Sequence, residues 1–247
     1  MFLFFIVSAI LAGLIATSIG GIPILFIKER IHRRSFDIAN GIAAGLMLAA
    51  SIFSLLLPGF EIGGLVPIIS GFLLGMLFIL LLKDRIHVFY YKLRGKMQPT
   101  TMYRALIVFV AITLHNFPEG MAVGAAFASG SIALGIEVAL AIGIQNIPEG
   151  FAVAAPLIAI GKYPRKKAFM FSILSGLVEP INAFVAYVLA STIRGLLPYF
   201  FGFCAGAMMF VVLNEMIPEA QHEEYFDIST IAILVGFITM FILDVSL

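Results

Sequence analysis

The sequence predicts an all-α polytopic membrane protein, with eight transmembrane helices in one bundle of inverted-repeat character. Three observations predict it. Of 247 residues, 62% are hydrophobic and only 12% are charged, about half the share of a soluble domain, so the chain could not cover a water-facing surface. Eight apolar stretches approach or exceed the roughly 20 residues needed to cross hydrocarbon. Fourteen of the fifteen Lys and Arg residues fall in alternate loops. The same figures exclude disorder, collagen and coiled coil. The single Cys204 excludes an internal disulfide and a cysteine-based zinc site. A net charge of +1 speaks against a nucleic-acid partner.

The spans are expected at about 2–27, 38–58, 65–82, 105–127, 133–160, 168–193, 197–217 and 229–246. The first has no basic n-region and is too long for a signal-peptide core, so it reads as a retained helix. The first loop carries Lys28, Arg30, Arg33 and Arg34. The third, about 83–104 between the third and fourth helices, carries Lys83, Arg85, Lys92, Arg94, Lys96 and Arg104. The fifth carries Lys162, Arg165, Lys166 and Lys167, and only Arg194 lies on the opposite side. The positive-inside rule then places these loops in the cytoplasm and both termini outside. The seventh loop is the acidic exception, with Glu219, Glu223, Glu224 and Asp227. Little chain is left for a soluble domain, so 1–247 reads as one transmembrane domain.

Ionisable side chains inside spans are costly and mark function by default. Glu119, Glu149, Glu179, Glu215 and His115 all fall there. The fourth and fifth spans share a motif. Leu114-His-Asn-Phe-Pro-Glu-Gly-Met-Ala-Val-Gly124 aligns with Ile144-Gln-Asn-Ile-Pro-Glu-Gly-Phe-Ala-Val-Ala154, identical at six of eleven positions and offset by 30 residues. The copies therefore lie on consecutive antiparallel helices, as a local inverted repeat near the midplane. His115 and Glu119 stand four residues apart on one helix face, as do Gln145 and Glu149, while Asn116 and Asn146 present a neighbouring surface. Pro118 and Pro148 each remove a backbone donor and free a carbonyl in the bundle. Two facing carboxylates in a low dielectric repel each other or bind protons, and a divalent cation resolves the repulsion. Imidazole with carboxylate suits Zn²⁺ and its first-row neighbours.

The plainer reading of such residues is a buried structural hydrogen-bond network. For Glu179 or Glu215 alone the two readings weigh equally; for the duplicated motif the ligand reading prevails. Glu137 reads as interfacial, and the methionines read as packing residues. The Gly41/Gly45, Gly71/Gly75 and Gly202/Gly206 pairs are packing signals within or between subunits, a homodimer being the expected assembly in the latter case.

His-Asn-Phe-Pro-Glu-Gly (115–120) and Gln-Asn-Ile-Pro-Glu-Gly (145–150) resemble the signature of the ZIP (Zrt/Irt-like protein) metal transporters. The resemblance covers the whole chain and implies a two-metal site at mid-membrane. It places His115, Glu119, Gln145, Glu149 and the thioether of Met47 at one metal. It places Asn116, Glu119, Asn146, Glu149 and Glu179 at the other, with Glu119 and Glu149 bridging. Ser54 and Glu61 match positions on the outer approach, and Glu215 matches an acid on the release path. The chain departs from common family patterns at Gln145, at Asn146 and at Asn214, beside Glu215. The third loop keeps only His87 of a frequent histidine-rich stretch. Fewer imidazoles make a harder, more oxygen-rich site, which broadens selectivity from Zn²⁺ toward Cd²⁺, Mn²⁺ or Fe²⁺.

The expected function is uptake of divalent metal through the plasma membrane into the cytoplasm. The metal ion is the substrate and the lipid bilayer the surrounding partner. His222, Glu223 and Glu224 would receive the ion weakly at the inner mouth. The resemblance implies an elevator-like alternating access. No Walker pattern is present, so the driving force is a metal gradient or a coupled ion. The alternatives are an intramembrane metalloenzyme and a metal-sensing membrane protein. His-Glu-x-x-His and Gly-x-Ser-x-Gly are both absent from the sequence, which weighs against the enzyme.

Overall fold

The structure is a computed structural model. It describes all residues except 28–31, 95–100, 160–162, 222–225 and 247, and leaves undescribed the side chains of 84, 86–94, 101–114, 159 and 194. Eight helical rods run in sequence: α1 (Phe2–Phe26), α2 (Arg33–Gly63), α3 (Leu65–Arg94), α4 (Thr101–Ala128), α5 (Ile132–Ala159), α6 (Arg165–Thr192), α7 (Leu197–Ala220) and α8 (Phe226–Ser246). Among the described residues there is no strand, and seven helices are long and apolar enough to cross a membrane. The remaining rod, α4, begins with residues whose side chains lie outside the description. This is a multi-pass, all-α membrane protein.

Helix ends reach beyond the expected spans because an α-helix does not stop where apolar sequence stops. The α2 rod starts at Arg33 rather than about 38, and α3 continues past Lys83 to Arg94. Together with α4 starting at Thr101, this narrows the expected loop of 83–104 to six residues, 95–100. Those six residues, including Lys96, lie outside the description. So do Lys28, Arg30, Lys162, His222, Glu223, Glu224 and the side chain of His87.

Three rods contain π-helical stretches: Ile10–Ile15 in α1, Ser51–Leu56 in α2 and Val212–Met216 in α7. Two of them have a proline two residues past their last residue, Pro58 after Leu56 and Pro218 after Met216. Pro58 cannot donate to the carbonyl of Ser54, nor Pro218 to that of Asn214. Wider turns before the ring relieve its clash with the preceding backbone.

Glycines set the packing. A Cβ on Gly150 would stand 2.0 Å from the Thr17 carbonyl oxygen, and one on Gly20 would stand 1.9 Å from that of Ile147, so α1 and α5 touch backbone to backbone. Gly120 and Gly124 bring α4 equally close to α6, and Gly45 and Gly236 join α2 to α8. Gly71 and Gly75 on α3 pack against the α7 backbone at Tyr199 and Phe203, and Gly202 and Gly206 on α7 pack against the α3 backbone at Ile68 and Phe72. Among the described residues, every such close approach stays within one of two groups: α1, α4, α5 and α6, or α2, α3, α7 and α8. Between the groups the contact is made by side chains. Leu46, Ala49 and Ala50 of α2 pack with Ala141 of α5 and Met240 of α8.

Candidate metal centre

The two copies of the motif come together in the middle of the first group. Pro118, Pro148 and Pro180 lie inside α4, α5 and α6, and each helix continues through its proline. The polar residues beside them are withdrawn from solvent. Asn116, Glu119 and Asn146 are fully buried, Gln145, Glu149 and Glu179 nearly so.

Amides of one copy engage carboxylates of the other elements. Gln145 Nε2 donates to Glu119 Oε1 at 2.7 Å. Asn116 Nδ2 donates to Glu179 Oε1 at 3.0 Å, and Asn146 Nδ2 donates to Glu179 Oε2 at 2.7 Å. Thr17 Oγ1 of α1 donates to the Gly13 carbonyl at 2.7 Å and lies 3.4 Å from Glu179 Oε1. Asn146 Nδ2 also reaches the Ala12 carbonyl at 2.8 Å, where α1 is π-helical. The Glu179 carboxylate is thus held by both copies of the motif at once.

Every amide donor in this cluster points at an oxygen, which leaves acceptors over. Among the described residues, Asn116 Oδ1, Glu119 Oε2, Gln145 Oε1, Asn146 Oδ1 and Glu149 Oε2 are buried without a hydrogen-bond partner. Five unpaired acceptor oxygens in one core are costly for a purely structural network. As Lewis bases without donors, they suit a hard or borderline cation.

His115 also meets a carboxylate of another helix. Its Nε2 lies 3.1 Å from Glu215 Oε2 of α7, and Lys83 Nζ of α3 lies 3.9 Å from Glu215 Oε1. Helical spacing puts His115 and Glu119 four residues apart on α4, and the packing of α7 on α4 brings Glu215 to His115 as well. His115, Glu149 and Glu215 line a cavity of about 170 Å³ with Phe36, Asn40 and Glu219. It extends from Glu149 to the end of the bundle where α2 starts and α7 ends.

The other expected residues are dispersed. Met47 is buried in the apolar cluster that also holds Ala12, Ala43 and Ala44, and Ser51 Oγ bonds its carbonyl. Ser54 Oγ donates to Asp244 Oδ1 at 2.7 Å, near the far end of α2. Glu61 and Asn214 are exposed. Among the described residues, no three of His, Cys, Asp and Glu converge at metal-ligand spacing. The donors that do converge alternate carboxylate with amide. Sequence reasoning passed over Thr17, Asp37, Asn40 and Asp244. Thr17 was readable as a polar residue in an apolar run, and Asp37 and Asp244 as acids at span ends.

Comparison with known proteins identifies the family. Residues 94–244 match the family described as ZIP zinc transporter. The chain is 36% identical to the zinc transporter GufA of Myxococcus xanthus, over 98% of each chain. It is 37% identical to the zinc transporter ZIPB of Bordetella bronchiseptica, over 96% of this chain and 79% of that one. It is 35% identical to the zinc transporter ZupT of Akkermansia muciniphila, over 93% of this chain and 92% of that one. These relatives are named as transporters, not as enzymes. With a matched region of more than half its length and relatives aligned along nearly all of it, the chain belongs to the ZIP zinc transporter family.

Proposed function

We propose that the protein carries divalent transition-metal ions, zinc first, through the membrane into the cytoplasm by alternating access. The observation that carries this reading is the set of five buried, unpaired acceptor oxygens on the duplicated motif. They supply what a desolvated cation needs and what a structural network would avoid. The names of the relatives support zinc, and the hard donor set extends the expected range to Cd²⁺, Mn²⁺ and Fe²⁺.

In this reading Glu119, Glu149 and Glu179 bring charge, and Asn116, Gln145 and Asn146 bring oxygens. The same amides that donate to carboxylates in the structure turn their oxygens toward the ion. His115 and Glu215 form the next station, since both line the cavity that starts at Glu149. The cavity ends at Phe36 near the start of α2, which packs in one cluster with Ala168 near the start of α6, and Arg33, Arg34, Arg165, Lys166 and Lys167 lie in sequence at those two starts. By the positive-inside rule that end is cytoplasmic, so the arrangement is inward-facing. Toward the other end, Ser54 bonds Asp244 and Met240 packs on Leu46 and Ala49.

The division of close glycine contacts into two groups favours an elevator-like movement. Backbone-to-backbone packing binds α1, α4, α5 and α6 into one body with the candidate site inside it. The facing surface of α2 is smooth, with Ala43, Ala44, Ala49 and Ala50 all buried. A body held by small side chains can slide without breaking a backbone contact.

The test is flux into proteoliposomes. Purified protein admits Zn²⁺ or Cd²⁺ down an imposed gradient, and Glu119→Ala or Glu149→Ala abolishes entry. Wild-type flux in both variants overturns the site assignment, and no flux in the unmutated protein overturns transport.

A further inference from the structure

We propose that Arg33, Asp37 and the end of α7 form a cation exit station in which the Arg33 guanidinium occupies the place that the departing metal ion takes in turn. The inference rests on the transport reading above and adds a step after Glu215.

Asp37 is completely buried, one turn into α2. Its Oδ1 accepts from Arg33 Nε at 2.7 Å, and among the described residues its Oδ2 has no partner. Arg33 Nη2 donates to the backbone carbonyl of Glu219 at 2.6 Å, and its guanidinium stands 5.0 Å from the Phe36 ring centroid. Phe36 and Glu219 line the cavity that begins at Glu149 and His115. The guanidinium therefore bonds the neighbours of the cavity lining, the carboxylate of Asp37 beside Phe36 and the backbone carbonyl of Glu219. Those are hard oxygen donors of the kind a divalent ion collects.

Helix stability does not explain Arg33. It is the first residue of α2, where the helix dipole disfavours a cation. Its order with Asp37, base before acid, is the weaker of the two i,i+4 arrangements. The guanidinium is also the part free to move, because the Arg33 side chain is 44% exposed while Asp37 is fully buried. Asn40 Nδ2, one turn on, bonds the Met216 carbonyl at 2.9 Å and fixes α2 to α7. When the guanidinium swings outward, a buried carboxylate is left unpaired, a costly state that an arriving divalent ion relieves. Return of the guanidinium then displaces the ion. Arginine keeps its charge at any working pH, so the displacement needs no proton.

The test uses full-length protein in detergent and equilibrium binding of Cd²⁺. Arg33→Met keeps the apolar stem and removes the competing charge. It binds one Cd²⁺ more than wild type, and Arg33→Met/Asp37→Asn returns to the wild-type number. A brace between α2 and α7 alone predicts a lower Tm with unchanged stoichiometry, which overturns the proposal. Because Arg33→Met leaves a buried charge that can hinder folding, Asp37→Asn supplies a second measurement. It retains an acceptor for Arg33. Cd²⁺ on the Arg33 side inhibits uptake by wild-type protein in vesicles, and Asp37→Asn weakens that inhibition about tenfold. An unchanged inhibition constant overturns the exit station while leaving transport intact. Absence of uptake by the wild type strikes the transport reading instead.

Discussion

Gln145 Nε2 lies 2.7 Å from Glu119 Oε1, which ties the two copies of the duplicated motif together through one hydrogen bond. The bond spends the Gln145 donor on a carboxylate and leaves Gln145 Oε1 as an unpaired acceptor. An amide oxygen is a harder ligand than an imidazole nitrogen. Gln145→His therefore raises the preference for Zn²⁺ over Mn²⁺, by about tenfold or roughly 1.4 kcal/mol. Competitive uptake of the two ions into proteoliposomes measures it. An unchanged ratio removes Gln145 from the coordination sphere.

Met47 is 1% exposed and carries a thioether, a softer donor than the oxygens of the candidate site. It packs in the cluster with Ala12, Ala43 and Ala44. Met47→Leu conserves volume and costs less than about 1.5 kcal/mol of stability. Loss of the thioether lowers Cd²⁺ transport more than Zn²⁺ transport, because Cd²⁺ is the softer ion. Equal losses for the two ions leave Met47 as a packing residue only.

The eight helices were legible because apolar runs of that length have few other uses. The ligand candidates were legible because an ionisable group in such a run stands out against its neighbours. What helical spacing could not show is which helix faces which. It put His115 and Glu119 on one face, and could not show that Glu215 of α7 meets His115 there. A hydroxyl such as Thr17 announces no partner, so its place beside Glu179 waited for the packing of α1 on α6. Asp37 was counted as loop because the second span was started one residue after it. The π-helical stretches share their composition with α-helix, although Pro58 and Pro218 mark two of them. The cleanest correspondence is glycine. Gly71, Gly75, Gly202 and Gly206 read as packing signals and are found packing on each other's helices.

The group that carries the site depends on α1 meeting α5 without side chains between them. A methyl group added at Gly150 would lie 2.0 Å from the Thr17 carbonyl oxygen, against backbone that cannot rotate away. Gly150→Ala is expected to lower stability by about 1–3 kcal/mol or more and to displace Glu149, its neighbour. Thermal unfolding in detergent shows the loss, and flux falls with it. Gly195→Ala is the control, since a Cβ there meets nothing within 4 Å. Equal Tm values for the two variants would contradict the close approach of α1 and α5.

Asn146 stands where a carboxylate would turn the second half of the site into a stronger cation trap. Its Nδ2 donates to both Glu179 Oε2 and the Ala12 carbonyl. Asn146→Asp removes both donations and sets a second negative charge against Glu179, so the metal-free protein is destabilised. A divalent ion between the two carboxylates reverses that repulsion. Added Zn²⁺ therefore raises the Tm of Asn146→Asp by more than it raises that of wild type, as ligand binding to the folded state requires. Binding stoichiometry rises in step if the second metal position is vacated by charge alone. A smaller Zn²⁺-induced shift in the variant than in the wild type places Asn146 in the helix-packing network with Ala12, and the metal elsewhere.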